Sequence, residues 1–149
     1  MNPFIEGLVQ TSLNLGVLKL EEKHCRIDHS VRSSVTAERD ELAGKIKEIC
    51  EKNGATSSFH NPYPAWEYRE NSPLRDTMAR VWKDMTGNDP VICTIHAGLE
   101  CGLLGEKIEG LDAVSIGPDM SGIHSPEEHL DIKSVGTVWE FLKKTLAAL

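Results

Sequence analysis

The chain has 149 residues, 40% of them hydrophobic and 26% charged, and carries a net charge of −7. Phosphate binding needs clustered Lys and Arg, so this balance argues against a nucleic-acid partner. No apolar run approaches the ~18 residues that cross a bilayer, and the first residues lack the basic and apolar regions of a secretory leader.

The four cysteines, Cys25, Cys50, Cys93 and Cys101, form no C-x-x-C pair. They read as reduced thiols of a cytoplasmic protein, not as a disulfide framework or a zinc ribbon. The length accommodates one domain or two small ones.

Residues 8–20 alternate: Val9, Thr11, Leu13, Leu15 and Val17 fall on one face and Gln10, Ser12, Asn14 and Gly16 on the other, which predicts a long strand. After the polar turn at residues 21–24, residues 25–34 alternate again. Cys25, Ile27, His29 and Val31 lie opposite Arg26, Asp28, Ser30 and Arg32, so the two runs predict a β-hairpin with one polar face. Thr36 is placed to cap a helix whose stripe is Leu42, Ala43, Ile46, Ile49 and Cys50, with Gly54 at its end. Residues 56–68 begin β-rich and are interrupted by Pro62 and Pro64, the pattern of an edge strand running into a linker.

Ser72 followed by Pro73 is a strong helix start, and Leu74, Met78, Val81, Trp82 and Met85 form the stripe behind it. Two short apolar runs then follow, residues 91–95 and 112–116, with a helical segment between them at about residues 99–108. Strand, helix and strand predict a βαβ unit with parallel strands. A final helix is expected over residues 132–146, capped by Asp131, with Val135, Val138, Trp139, Leu142 and Leu146 toward the core. The fold class is therefore α/β: an α+β first part, β-β-α-β, then a three-layer part, α-β-α-β-α, with incomplete sheets.

Both runs of the βαβ unit lead into Gly-containing loops, and each loop carries a histidine, His96 or His124. Ligand sites in open α/β sheets collect beyond the carboxyl ends of strands. The segments His96-Ala97-Gly98-Leu99-Glu100-Cys101-Gly102 and Gly122-Ile123-His124-Ser125-Pro126-Glu127-Glu128 closely resemble the C-terminal end of the Xaa-His dipeptidases. These aminoacyl-histidine dipeptidases are zinc exopeptidases with a catalytic domain and an inserted lid. The first motif is fairly specific to them, the second is shared more loosely among related exopeptidases, and the resemblance runs from about Gly7 to the end. The resemblance does not cover the family's first half, which carries its His-x-Asp metal motif and its paired-glutamate motif. The resemblance implies that residues 1–66 match part of the lid and dimerisation domain and residues 67–149 the end of the catalytic domain.

It also implies roles for single residues. His124 matches a ligand of one of two zinc ions; its residue chemistry alone fits a solvent-facing loop histidine as well. Glu127 and Glu128 are candidates to orient His124 or its loop, or else a solvated acidic pair. His96, Gly98 and Glu100 match a loop that holds the substrate's C-terminal end, where helix-start N–H groups favour a carboxylate. The plainer readings are a core histidine and first-turn helix electrostatics. Gln10, Asn14 and Arg32 share the hairpin's polar face and are candidate lid contacts to a substrate oxyanion or carboxylate, or a wetted sheet face. No catalytic residue is assigned, since the general base belongs to the absent half.

The expected function is part of a zinc-dependent dipeptidase acting on Xaa-His and related dipeptides, inactive alone and with neither zinc ion retained. Its expected partners are the dipeptide substrate, the missing N-terminal half and further copies of itself, through unpaired strand edges. Two rivals are a thiol enzyme using Cys101 with His96 as base and a non-enzymatic α+β ligand-binding or dimerisation module.

Overall fold

The computed structural model of the protein describes residues 1–2, 5, 7–95 and 99–149. Along the chain the elements are β1 (Thr11–Leu20), β2 (Cys25–Ser33), α1 (Thr36–Lys52), α2 (Pro73–Thr86), α3 (Glu100–Lys107), β3 (Met120–Ser121), β4 (His129–Leu130) and α4 (Ile132–Ala148). This is a mixed α/β protein whose sheets are incomplete: one antiparallel pair is β1–β2 and the other β3–β4. Its residues group into two units, residues 1–68 with 93–109, and residues 69–92 with 110–149.

In the first unit β1 and β2 form the expected hairpin, closed by the Glu21 N–H donating to the His24 carbonyl at 2.8 Å. The register shifts between Leu15 and Val17, where Leu15 faces His29 and Val17 faces Asp28, leaving Gly16 as an extra residue. This bulge corrects the uninterrupted alternation expected from the sequence. Strict alternation puts Val17 and Lys19 beside Leu13 and Leu15. The bulge instead returns Leu18 and Leu20 to the side of Leu13 and Leu15, because cross-strand partners share a face. Opposite them on the same side stand Cys25, Ile27, His29 and Val31.

Helix α1 forms as expected, but Thr36 is not its side-chain cap. The N-cap is Val35, and the Thr36 N–H is satisfied by the Glu67 carboxylate at 3.2 Å. A charged acceptor supplied from a distant segment replaces the local hydroxyl, which nothing in the local sequence signals. Gly54 follows the end of α1 at φ +71°, the left-handed conformation its placement predicts. Ile49 is exposed, not part of the core stripe, and no α1 residue is fully buried. Residues 55–68 form no ladder; Pro62 and Pro64 remove donors, and no partner strand is paired with them. The segment lies instead against α3, where an added Cβ on Gly102 stands 2.9 Å from the Pro64 carbonyl oxygen. Glycine is what permits that approach.

The second unit holds the apolar core. Met78, Val81 and Phe141 are buried, with Leu74, Trp82, Met85 and Val114 packed around them. Trp82 meets Phe141 edge to face at 5.2 Å between ring centroids, a geometry the ring quadrupoles favour. Helix α2 begins as its sequence predicts: Ser72 Oγ accepts from the Arg75 N–H at 3.1 Å. The Asp112 carboxylate strengthens this start, accepting from Ser72 Oγ at 2.6 Å and from the Leu74 N–H at 3.0 Å.

Asp131 caps α4, accepting from the Lys133 N–H at 2.7 Å. The packed side of α4 differs from expectation. Phe141 and Thr145 are buried and Val138 half-buried, whereas Val135, Trp139, Leu142 and Leu146 are exposed. Two apolar stripes run along this helix, and only one meets α2. The expected βαβ unit is likewise not formed among the described residues. Helix α3 is present, but residues 91–95 and 112–116 pair with no strand. A run of β-forming residues becomes a strand only when a neighbour takes its backbone groups.

Candidate functional site

His124 stands in the loop joining β3 to β4, which is braced by hydrogen bonds within the loop. At its base Met120 pairs with Leu130 and Ser121 with His129. Ser125 is the hub: its N–H and Oγ both donate to the Gly122 carbonyl, at 3.0 and 2.7 Å. Its Oγ accepts from the Glu127 N–H at 3.2 Å, and its carbonyl from the Glu128 N–H at 3.1 Å. Gly122 has φ +62°, and a Cβ there would stand 2.9 Å from the Glu127 carbonyl oxygen, so the loop closes only around glycine.

His124 itself has φ +65°, a left-handed conformation uncommon for a side-chain-bearing residue. The Glu128 carboxylate holds it there by accepting the His124 N–H at 2.8 Å. The imidazole is exposed and its ring makes no hydrogen bond among the described residues. A non-glycine residue held at positive φ by surrounding bonds is a recognised mark of a functional position. Below the loop, the Asp131 N–H donates to the Asp119 carbonyl at 2.9 Å, and the Asp119 N–H to Ser134 Oγ at 2.8 Å. His124 is thereby tied to the start of α4.

Glu127 and Glu128, which the sequence treats alike, differ here. Glu128 binds the loop backbone, while Glu127 contributes its carbonyl, which accepts from His129 Nδ1 at 2.8 Å. Ser125, Asp119 and Ser134 brace the His124 loop, and sequence reasoning singled out none of them. The Ser-Pro step after His124 was the available signal for the first; nothing marked the other two.

In the first unit Asn14 and Arg32 lie on the same face of the hairpin, Asn14 opposite Ser30 and Arg32 opposite Ser12, and both are exposed. Gln10 is not available beside them. It is buried, bonded to Asn2 at 3.1 Å and donating to Glu38 at 2.6 Å, so it locks the hairpin to α1. Glu100 opens α3 and is exposed. His96 and Gly98 lie outside the described residues, as does any geometry between His96 and Cys101.

A catalytic zinc takes about three protein ligands. Among the described residues no three His, Cys, Asp or Glu side chains converge.

No protein-family model matches the chain. It is 35% identical over 141 residues to the cytosol non-specific dipeptidase of Escherichia coli (strain K12), covering 95% of this chain. It also matches the crystal structure of aminoacylhistidine dipeptidase from Vibrio alginolyticus with a TM-score of 0.88 and 34% identity, over 100% of this chain. The chain is similar to these dipeptidases over nearly its whole length. It spans 29% of the first relative and 30% of the second, so the match concerns under a third of their length. In those dipeptidases more than two thirds of the polypeptide has no counterpart here.

Proposed function

We propose that the chain is part of a zinc-dependent dipeptidase that hydrolyses Xaa-His and related dipeptides, and that His124 is its contribution to the metal centre. The observation that carries this reading is the His124 loop: an imidazole with no hydrogen bond among the described residues, on a residue held at φ +65° by Glu128. A solvent histidine has no need of such a conformation, whereas a metal ligand gains from one fixed in advance.

The remaining ligands of a two-zinc site, and the general base, would come from polypeptide equivalent to the unmatched part of the relatives. On this reading residues 1–66 belong to a lid and residues 67–149 to the catalytic domain. Asn14, Arg32, Glu100, His96 and Gly98 serve the substrate side, and Glu127 and Glu128 support the His124 loop. The location is cytoplasmic, in keeping with the relative's name and with the lack, among the described residues, of a helix long and apolar enough to cross a membrane.

Alone, the chain is expected to hydrolyse no dipeptide and to hold no zinc stoichiometrically. It is also expected to associate with itself through unpaired strand edges. Hydrolysis of a histidine-containing dipeptide with added zinc tests the first point. Turnover that follows the purified chain through successive columns would show that the chain carries a complete site and would sink this reading.

A further inference from the structure

The Gly16 bulge gives the β1–β2 hairpin one largely apolar face, interrupted only by His29. Leu13, Leu15, Leu18 and Leu20 stand beside Ile27 on it, and all five are exposed, Leu18 by 59% and Leu20 by 79%. Lys19, Arg26, Asp28 and Arg32 all fall on the other face, and the one titratable ring on this one is His29, opposite Leu15. Sheet faces of this kind are buried in stable proteins, and a lone two-stranded sheet is marginal in water.

The need for cover extends through the whole first unit: every buried apolar residue among those described belongs to the second unit. The fold matches a dipeptidase over the full chain while leaving 70% of that protein unmatched. We infer that this hairpin face is a docking surface for the polypeptide of a dipeptidase that the chain does not span, which would lay the apolar side of one or more amphipathic helices across it. A largely apolar sheet face, backed by a polar face, calls for a helical layer on that side.

A second copy of the chain is the less suitable occupant. Each copy carries a charge of −7, and a copy supplies no buried apolar layer that the first lacks. The inference rests on the proposed membership of a larger dipeptidase, but concerns only which surface is covered.

Cys25 is a built-in reporter. It pairs with Leu20 on the apolar face and is exposed. N-ethylmaleimide labelling, read peptide by peptide by mass spectrometry, is made on three samples. These are the chain alone at low and high concentration, the chain co-expressed with Escherichia coli dipeptidase lacking its matching segment, and a chimera in which the chain replaces that segment. Cys25 is expected to label about tenfold more slowly, or less, in the complex or the chimera, and at one rate in the isolated chain whatever its concentration. Leu15→Lys with Leu18→Lys should abolish the complex, while Lys19→Glu, on the opposite face, should leave it intact.

Protection that appears on concentrating the chain by itself assigns the face to a second copy and overturns the inference. Free-rate labelling of Cys25 in both partnered samples overturns it too, as does failure to recover either in folded form by circular dichroism. Dipeptide hydrolysis is assayed separately. A protected Cys25 in an inactive assembly leaves the docking surface standing and counts only against the catalytic reading.

Discussion

Gly122 and Glu128 act on His124 by different means, and substitutions separate them. Gly122→Ala places a Cβ 2.9 Å from a carbonyl oxygen at positive φ, and is expected to cost about 1–2 kcal/mol locally and open the loop. Glu128→Ala removes the acceptor of the His124 N–H, whereas Glu128→Gln keeps one. Amide exchange at His124 should therefore rise strongly in the first two variants and little in the third. Equal exchange in all four proteins would mean that the loop does not depend on these contacts. At Asp112, burial acts to raise the carboxyl pKa, but the bonds from Ser72 and Leu74, with the charges of Arg69 and Arg75, outweigh it and hold the group below its usual value. A carboxyl with a depressed folded pKa adds stability above its unfolded pKa of about 3.9 and loses it as pH falls through the folded value. The start of α2 should thus loosen in acid, followed by Trp82 fluorescence, and Asp112→Asn should remove that part of the pH dependence. The histidine loop was legible because Gly, His and Pro sit close together in sequence. The Asp112 contact was not, since it joins residues forty positions apart in the chain.

At the scale of elements, α1, α2, α3, α4 and the hairpin could be read from periodicity and cap residues, because those signals are local. What could not be read is which side of each element finds a partner. Alternation in β1 suggested one face, and a single extra glycine moved Leu18 and Leu20 onto it. Likewise α4 carries two apolar stripes, and sequence alone selects neither. Phe141→Ala is expected to destabilise the second unit by about 3–5 kcal/mol, the range for deleting a buried aromatic ring. Trp139→Ser, on the open stripe at 57% exposure, should change it by less than about 0.5 kcal/mol. Urea unfolding of both variants checks this contrast; a comparable loss from Trp139→Ser would show that the open stripe is already packed in the isolated chain. Deleting Gly16 removes the residue without a cross-strand partner, so the ladder should become continuous with Leu18 and Leu20 still on the apolar face, visible as retained Leu18–Ile27 contacts by NMR; loss of those contacts would show that the hairpin depends on the bulge.

For the molecule as a whole, the unpaired runs at residues 91–95 and 112–116 and the open hairpin face fit the proposed reading, in which the chain holds a share of a fold and of a site. The sequence pointed to this reading through a resemblance that leaves the family's first half uncovered, but it led to complete strands where the structure has only extended segments. Pairing is a property of the partner as much as of the run. The most direct test is a chimera in which this chain replaces the matching segment of the Escherichia coli dipeptidase, compared with the same chimera carrying His124→Ala, with zinc content and hydrolysis of a histidine-containing dipeptide measured on each. The account expects the parent chimera to bind zinc and turn over, and His124→Ala to lose most of its activity and part of its zinc. An undiminished zinc content with undiminished turnover in His124→Ala would contradict it.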